Sequence, residues 1–128
     1  MSNVNKKAKR ILLVDDHKNT RILLAELLST MGYRVSEAKD GKEAMNLVEI
    51  GPIHLVITDL RMPGMDGIEL TCAIRTIKPD LPIIVYSAYR FIDTAPVALK
   101  AGANEYLTKP FLGNKVRQTV ERLLKEQK

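Results

Sequence analysis

The sequence has little cysteine and no long apolar run. Its 128 residues include one cysteine, Cys72, which cannot form a disulfide within the chain and fits a reducing compartment such as the cytoplasm. The longest apolar runs, ILLV at 11–14 and LPIIVY at 81–86, are far shorter than the roughly 20 residues that a membrane span needs. The opening MSNVNKKAKR lacks the apolar stretch and cleavage site of a secretion signal. We therefore expect a cytoplasmic protein without membrane segments.

Internal repeats, low-complexity tracts and Gly/Ser-rich linkers are also missing from the sequence. The length is that of one ordinary domain, and it is long enough to enclose a hydrophobic core. Hydrophobic residues make up 45% of the chain and charged residues 27%, which is a globular mix and not that of a disordered chain. The sequence therefore predicts one folded domain.

The net charge of +5 is concentrated at the two ends of the chain. Residues 1–10 contribute +4 and residues 114–128 contribute +3, so the segment between them carries −2. Basic ends can attract nucleic acid or an acidic partner, but solvated termini that aid solubility are the commoner explanation. We expect a basic tail over residues 1–9, a folded domain over 10–126 and no nucleic-acid binding by this domain alone.

Short apolar runs alternate with amphipathic segments along the chain. The runs predict five strands, at 10–14, 33–38, 54–58, 81–87 and 104–108. Each strand is followed by a segment with helical spacing of its apolar residues. This alternation predicts a doubly wound α/β fold, in which helices cover both faces of a mostly parallel sheet.

Capping residues set the expected bounds of the helices. The first helix should be capped by Asn19 or Thr20 and end near Gly32, and its apolar residues recur at helical spacing, namely Ile22, Leu23, Leu27, Leu28 and Met31. Asp40 should cap the second helix and Asp66 the third. The fourth should be capped by Asp93, hold Pro96 in its first turn and end at Gly102, and the fifth should run from Phe111 to about Lys125.

Polar residues follow four of the five predicted strands. Asp15 and Asp16 follow the first strand, Asp59 the third, Ser87 the fourth and Lys109 the fifth. In doubly wound sheets the sites form beyond the carboxyl ends of the strands, so these residues should converge. Three clustered carboxylates need a shared proton or a cation, and Mg²⁺ is suited to oxygen ligands together with a phosphate. An aspartate in such a site can act as a nucleophile that forms an aspartyl phosphate.

Taken one at a time, these residues have simpler explanations. An Asp after a strand is more often a turn or capping residue, Ser87 can be a turn hydroxyl, and Lys109 a solvated charge. Only their joint placement favours a site. His17 and His54 have no neighbours at metal-ligand spacing, so we expect turn and edge roles for them. Cys72 has no evident base partner, and a catalytic role is not expected.

Four segments resemble, in order and position, the receiver domain of two-component response regulators: ILLVDD, VITDLRMPGMDGIEL, PIIVYSA and AGANEYLTKPF. The resemblance extends from about Arg10 to about Leu124 and is to chemotaxis-regulator-like receivers. It implies a flavodoxin-like (βα)5 fold with a five-stranded parallel sheet in the order 2-1-3-4-5.

The resemblance also implies the role of each site residue. Asp59 would accept a phosphoryl group from a histidine kinase or phosphotransfer protein. Mg²⁺ would be bound by Asp16, Asp59 and the backbone carbonyl of Arg61, with Asp15 acting through water. Ser87 and Lys109, the latter before a cis Pro110, would contact the phosphoryl group.

Signal output is implied by the same resemblance. Ser87 would move toward the phosphoryl group, and Tyr106 would turn inward as a switch, changing the surface of residues 91–126 for a partner protein or for dimerisation. Arg61 and Tyr89 lie where this family sets the phosphoryl lifetime. Such a receiver catalyses its own phosphorylation and dephosphorylation without being an enzyme for a separate substrate.

Two alternatives stay open. The chain can be a single-domain regulator, or the receiver part of a longer regulator or hybrid kinase. An Asp-nucleophile phosphohydrolase with Mg²⁺ is a further possibility, although such an enzyme is expected to carry a second acid two residues after its nucleophile, where Arg61 stands here.

Overall fold

Five strands and five helices alternate along the described part of the chain. The computed structural model describes residues 8–88, 91–110 and 113–126. The strands are β1 Arg10–Val14, β2 Arg34–Ala38, β3 Leu55–Asp59, β4 Ile83–Ser87 and β5 Glu105–Thr108. The helices are α1 Lys18–Thr30, α2 Gly41–Ile50, α3 Gly67–Ile77, α4 Phe91–Ala101 and α5 Gly113–Glu126. The strands are parallel, and their order 2-1-3-4-5 confirms the predicted fold.

The apolar runs of the sequence become strands that are buried on both faces. Leu12 and Val14 of β1 point to one side of the sheet, and Ile11 and Leu13 point to the other, because side chains alternate along a strand. The first side is covered by α2, α3 and α4, and the second by α1 and α5. Sandwiching between two helical layers explains why β1, β3 and β4 are almost continuously apolar.

Two of the predicted caps are present as hydrogen bonds. Asp40 accepts from the backbone N–H of Glu43 at 2.9 Å and begins α2. Asp66 accepts from the N–H of Glu69 at 2.8 Å, and the Glu69 side chain returns a bond to the Asp66 N–H. This reciprocal capping box fixes the start of α3. Gly32, with φ 100°, follows the end of α1 as predicted.

The predicted cap of α1 was wrong, and not all of its apolar residues at helical spacing are buried. The helix begins at Lys18, and His17 is its N-cap without a capping side-chain bond, so Asn19 and Thr20 lie inside the helix. Leu24 and Leu28 are buried, whereas Ile22 and Leu23 are 38% and 62% exposed. Helical spacing permits either rotation of this leucine-rich segment, and packing against the sheet selects one of them.

The fourth helix also begins earlier than predicted. It starts at Phe91, so Asp93 lies within the helix instead of capping it, and Pro96 falls in the second turn, not the first. The end at Gly102, with φ 118°, agrees with the prediction. Some predicted features lie outside the described residues, namely Tyr89, the start of α5 at Phe111 and most of the basic N-terminal tail.

Arg75 fastens the third helix to the edge of the sheet opposite the predicted site. Its guanidinium donates to the backbone carbonyl oxygens of Gly102 at 2.9 Å and Leu81 at 2.6 Å, and to the side chain of Asn104 at 2.8 Å. One planar side chain thus ties together the segments before β4 and β5. Among the described residues, each helix is too short or too polar to cross a lipid bilayer.

Candidate functional site

The predicted site residues meet at the carboxyl edge of the sheet. Asp59 and Ser87 are the last residues of β3 and β4, and both are buried. Asp15, directly after β1, is fully buried, with a backbone N–H bonded to the Ala38 carbonyl. Adjacent positions in the three central strands thus bring together side chains more than 70 residues apart in sequence, as the topology predicted.

Lys109 places a positive charge between two of the carboxylates. Its Nζ lies 3.4 Å from Asp15 Oδ2 and 3.4 Å from Asp59 Oδ1, and its side chain is 20% exposed. The peptide bond from Lys109 to Pro110 is cis, as the resemblance implies. The Lys109 N–H donates to the Ser87 carbonyl oxygen at 2.7 Å, which fixes the residue beside the end of β4.

The environment of Asp59 disfavours its charged form. Burial is the main cause that raises the pKa of this carboxyl above its ordinary value, and repulsion from Asp15 adds to it. Attraction to Lys109 opposes both effects but does not cancel them. A group that brings positive charge to this edge therefore relieves an electrostatic cost that the folded chain carries.

Four side chains have the composition of a cation site. Asp15, Asp16, His17 and Asp59 each offer one ligand atom, and these atoms all lie within 4.8 Å of one another. The expectation that His17 has no metal-ligand company was therefore wrong: its Nδ1 is 3.3 Å from Asp15 Oδ1 and 3.3 Å from Asp16 Oδ1. The adjacency of His17 to the acid pair was the signal in the sequence.

His54 has the edge role that was expected. Its Nδ1 accepts a hydrogen bond from the backbone N–H of Arg10 at 3.0 Å, beside the amino end of β1. Burial, aided by the charge of Lys9, lowers the pKa of His54, which fits a neutral acceptor ring. Cys72 is exposed on α3.

The loop after Asp59 returns to the backbone of Asp59 and Leu60 where α3 begins. The Gly67 N–H donates to the Leu60 carbonyl oxygen at 2.8 Å, and a Cβ at Gly67 would lie 2.3 Å from the Asp59 carbonyl oxygen. Gly64 has φ +75° and turns the chain. Met65 packs against Gly41 at the start of α2. Thus Gly64 supplies the turn, and Gly67 supplies the space for α3 to begin beside the Asp59 backbone.

The predicted switch residue Tyr106 is already turned inward. It is buried in the core beneath α4, and its hydroxyl is hydrogen-bonded with the Thr94 hydroxyl of that helix. The register pairs Tyr106 with Val85 and Thr108 with Ser87 on β4. Arg61, two residues after Asp59, is exposed. The movements predicted for Ser87 and Tyr106 stay predictions.

A groove on the surface includes Lys109 of the site in its lining. It is lined by Thr20 and Leu23 of α1, by Ala88 after β4, and by Lys109 and Pro110 after β5. The exposed Leu23 gives one wall an apolar surface. A reactant that approaches Lys109 from this side has both an apolar wall and a cation to contact.

The model of the response regulator receiver domain family matches residues 11–121. The chain belongs to this family. Transcriptional regulatory protein ZraR of Klebsiella oxytoca is 41% identical over 114 residues, which are 89% of this chain and 26% of that protein. Sensor histidine kinase RcsC of Escherichia coli is 37% identical over 110 residues, which are 86% of this chain and 12% of the kinase.

The chain is also similar in sequence and fold to a solved receiver structure. Response regulator TrrA of Thermotoga maritima, crystallised in complex with Mg²⁺ and BeF, is 39% identical with a TM-score of 0.83, and the match covers 90% of this chain and 98% of that one. These matches confirm the predicted receiver domain and its class of function, phosphorylation-controlled signalling. This chain spans about a quarter of the length of ZraR and 12% of the length of the kinase. The matches are consistent both with a separate receiver and with the receiver part of a longer protein.

Proposed function

We propose that Asp59 is the residue that accepts the phosphoryl group in this receiver. The observation that carries the proposal is the position of Lys109, which lines a surface groove and places its Nζ 3.4 Å from both Asp15 and Asp59. A phosphoryl group on Asp59 would place its negative charge beside the Lys109 ammonium, and the buried Ser87 ends the neighbouring strand. Asp66, the other acid of the loop, is occupied as the cap of α3.

The carboxylate cluster fits the magnesium ion that its family binds at the acidic pocket. The oxygens of Asp16 and Asp59, the Arg61 backbone carbonyl, and Asp15 through water would hold Mg²⁺, and hard oxygen donors are the ligands that this ion prefers. When bound, the ion would supply positive charge to the phosphoryl oxygens. Two observations support this assignment: carboxylate oxygens of Asp15, Asp16 and Asp59 lie within 4.8 Å of one another, and the pKa of Asp59 is raised.

The transfer itself needs few groups of the chain. An Asp59 carboxylate oxygen forms a bond to phosphorus while the bond from phosphorus to the donor's imidazole nitrogen breaks, and the electron pair leaves with the imidazole. Lys109 pairs with the phosphoryl oxygens, and the Ser87 hydroxyl donates to one of them. Hydrolysis of the acyl phosphate by water returns Asp59, so the receiver catalyses only its own loading and unloading.

The phosphoryl donor and the output partner would contact two different surfaces of the receiver. We propose that a histidine kinase or phosphotransfer protein places its phosphohistidine in the groove between Leu23 and Pro110. Phosphorylation would shift the conformations of Ser87 and Tyr106. The exposed face of α4, on which Val97 is 56% exposed, would change with them. Labelling of this chain by a phosphorylated kinase, but not by ATP alone, is the expected behaviour.

Acetyl phosphate tests the proposal without a partner protein. With Mg²⁺, we expect intact-protein mass spectrometry to show the gain of one phosphoryl group, because the site activates the transfer itself. In EDTA the gain should fall to background. Equal gain with and without a divalent cation would contradict the assignment of the cation site. Turnover of a phosphate ester without a phosphorylated protein intermediate would instead support the phosphohydrolase alternative.

Lys109→Ala separates cation binding from phosphoryl transfer. The variant should bind Mg²⁺ about as well as the wild type, since the oxygen ligands remain. Loss of the ammonium should slow acetyl phosphate uptake by about a hundredfold, the usual effect of removing one charge-stabilising donor. Uptake rates and a Mg²⁺ titration measure the two effects separately. An unchanged uptake rate would remove Lys109 from the proposed mechanism, and Lys115→Ala, at an exposed position of α5, is a charge-matched control.

A further inference from the structure

Tyr86 is a buried residue whose hydroxyl reaches the carboxylate cluster. It precedes Ser87 on β4, is 2% exposed and packs among the side chains beneath α1 and α5. Its hydroxyl donates to Asp15 Oδ2 at 2.5 Å. Burial, and then the bond to Asp15, raise the pKa of Tyr86 far above its ordinary value, so the hydroxyl keeps its proton as a donor.

The hydrogen bonds to Asp15 restrain both of its oxygens. Oδ1 accepts from the backbone N–H of His17 at 2.8 Å, whereas Oδ2 accepts from Tyr86 and lies 3.4 Å from Lys109 Nζ. A carboxylate has about four lone-pair positions, so donors of the chain occupy most of its capacity. Asp15 is thereby held in one orientation, with its charge aimed toward Lys109 and Asp59.

The aromatic ring of Tyr86 also contacts the lysine. Lys109 Nζ lies 4.6 Å from the ring centroid, within the range of a cation–π interaction. One side chain thus touches the Asp15 carboxylate with its hydroxyl and the Lys109 ammonium with its ring. A leucine or methionine at this position would be apolar enough for the core but would make neither contact.

We propose that Tyr86 is a positioning residue for this site, which orients Asp15 through its hydroxyl and Lys109 through its ring, and so sets how tightly the carboxylate cluster binds a divalent cation. The inference rests on the proposed function in one respect, namely that Asp15 belongs to the cation site. Removal of a group that orients a metal ligand typically lowers metal affinity by about 10- to 100-fold.

The test is a titration of Mg²⁺ alone, followed by NMR, with Tyr86→Phe. This variant keeps the ring and removes the hydroxyl, and we expect its dissociation constant for Mg²⁺ to rise about tenfold. Before any cation is added, the amide signal of His17 should shift, because its N–H is bonded to the same carboxylate. In an Asp15→Asn background the effect of Tyr86→Phe on affinity should fall below about twofold, since its target has lost the charge.

Tyr33→Phe is the matched control. Tyr33 is a buried tyrosine in the same core cluster, but it lies before the amino end of β2, at the edge of the sheet opposite Asp15, so its variant should bind Mg²⁺ like the wild type. Tyr86→Leu gives a second variant, in which the Lys109 side-chain signals should also move because the ring is gone.

Three results would overturn the inference: wild-type affinity in Tyr86→Phe, an equal loss in Tyr33→Phe, or an undiminished loss in the Asp15→Asn background. Failure of the wild type to bind Mg²⁺ would be a different result. It would overturn the proposed cation site, and the positioning of Asp15 and Lys109 would then be decided by the His17 and Lys109 signals in the metal-free protein.

Discussion

Asp59→Asn is expected to take up no phosphoryl group from acetyl phosphate and, in EDTA at neutral pH, to unfold at a higher urea concentration than the wild type. The first effect follows because an amide is not a nucleophile for phosphorus under these conditions. The second follows from burial. The variant removes a carboxylate whose charge is opposed by its surroundings and by Asp15, so the folded state loses an electrostatic cost.

The sign of the pH dependence follows from the raised pKa of Asp59. A carboxyl that holds its proton more tightly in the folded state favours folding at low pH, and this contribution is lost as pH rises through its folded pKa. The advantage of Asp59→Asn should therefore be absent below the ordinary pKa of 3.8 and grow between that pH and neutrality. Urea unfolding in EDTA at pH 3.5 and at pH 7 measures it.

Asp66→Asn is the control for this variant, because it changes an acid of the same loop by the same atoms. Asparagine caps helices about as well as aspartate, so stability should change by less than about 1 kcal/mol. Phosphoryl uptake should match the wild type. Uptake that persists in Asp59→Asn and disappears in Asp66→Asn would assign the roles of the two acids the other way round.

Gly67→Ala is expected to lower the free energy of unfolding by about 3 kcal/mol and to slow phosphoryl uptake by about a hundredfold. The added Cβ would lie 2.3 Å from the Asp59 carbonyl oxygen and 3.0 Å from the Leu60 Cα, and these are backbone atoms that cannot turn away. Relief of such overlap needs movement of the strand end or the helix start, which costs up to about 3 kcal/mol. Displacement of Asp59 by about 1 Å is enough for the kinetic effect.

Gly64→Ala separates this close approach from the general cost of losing a glycine. Gly64 has φ +75° but open space around its Cβ position, so the expected cost is only about 1 kcal/mol, from the left-handed backbone. Uptake should be nearly normal. Urea unfolding and initial uptake rates compare the two variants, and equal losses at both positions would refute the special role of Gly67.

The sheet and the meeting of the site residues could be predicted because two regularities determine them. The run at 10–14 became β1 with its predicted bounds, since a strand buried on both faces needs continuous apolar residues. Parallel strands then bring their carboxyl ends to one edge, so Asp15, Asp59, Ser87 and Lys109 were predicted together from their places in the alternation.

The rest could not be predicted because it depends on packing or on side-chain direction. The leucine-rich α1 offers two apolar rotations, and contact with the sheet chose the one that exposes Leu23. A tyrosine inside a strand is predicted only as core, and nothing local shows that the Tyr86 hydroxyl reaches a residue 71 positions earlier. Arg75 also contacts segments that are adjacent only in the folded chain.

The most direct test of the central claim identifies the phosphorylated residue. After treatment with acetyl phosphate and Mg²⁺, reduction with sodium borohydride converts an aspartyl phosphate to homoserine, and peptide mass spectrometry gives its position. The account predicts homoserine at residue 59 and aspartate at residues 15, 16 and 66. Homoserine at any of those three positions, with residue 59 unchanged, would contradict it.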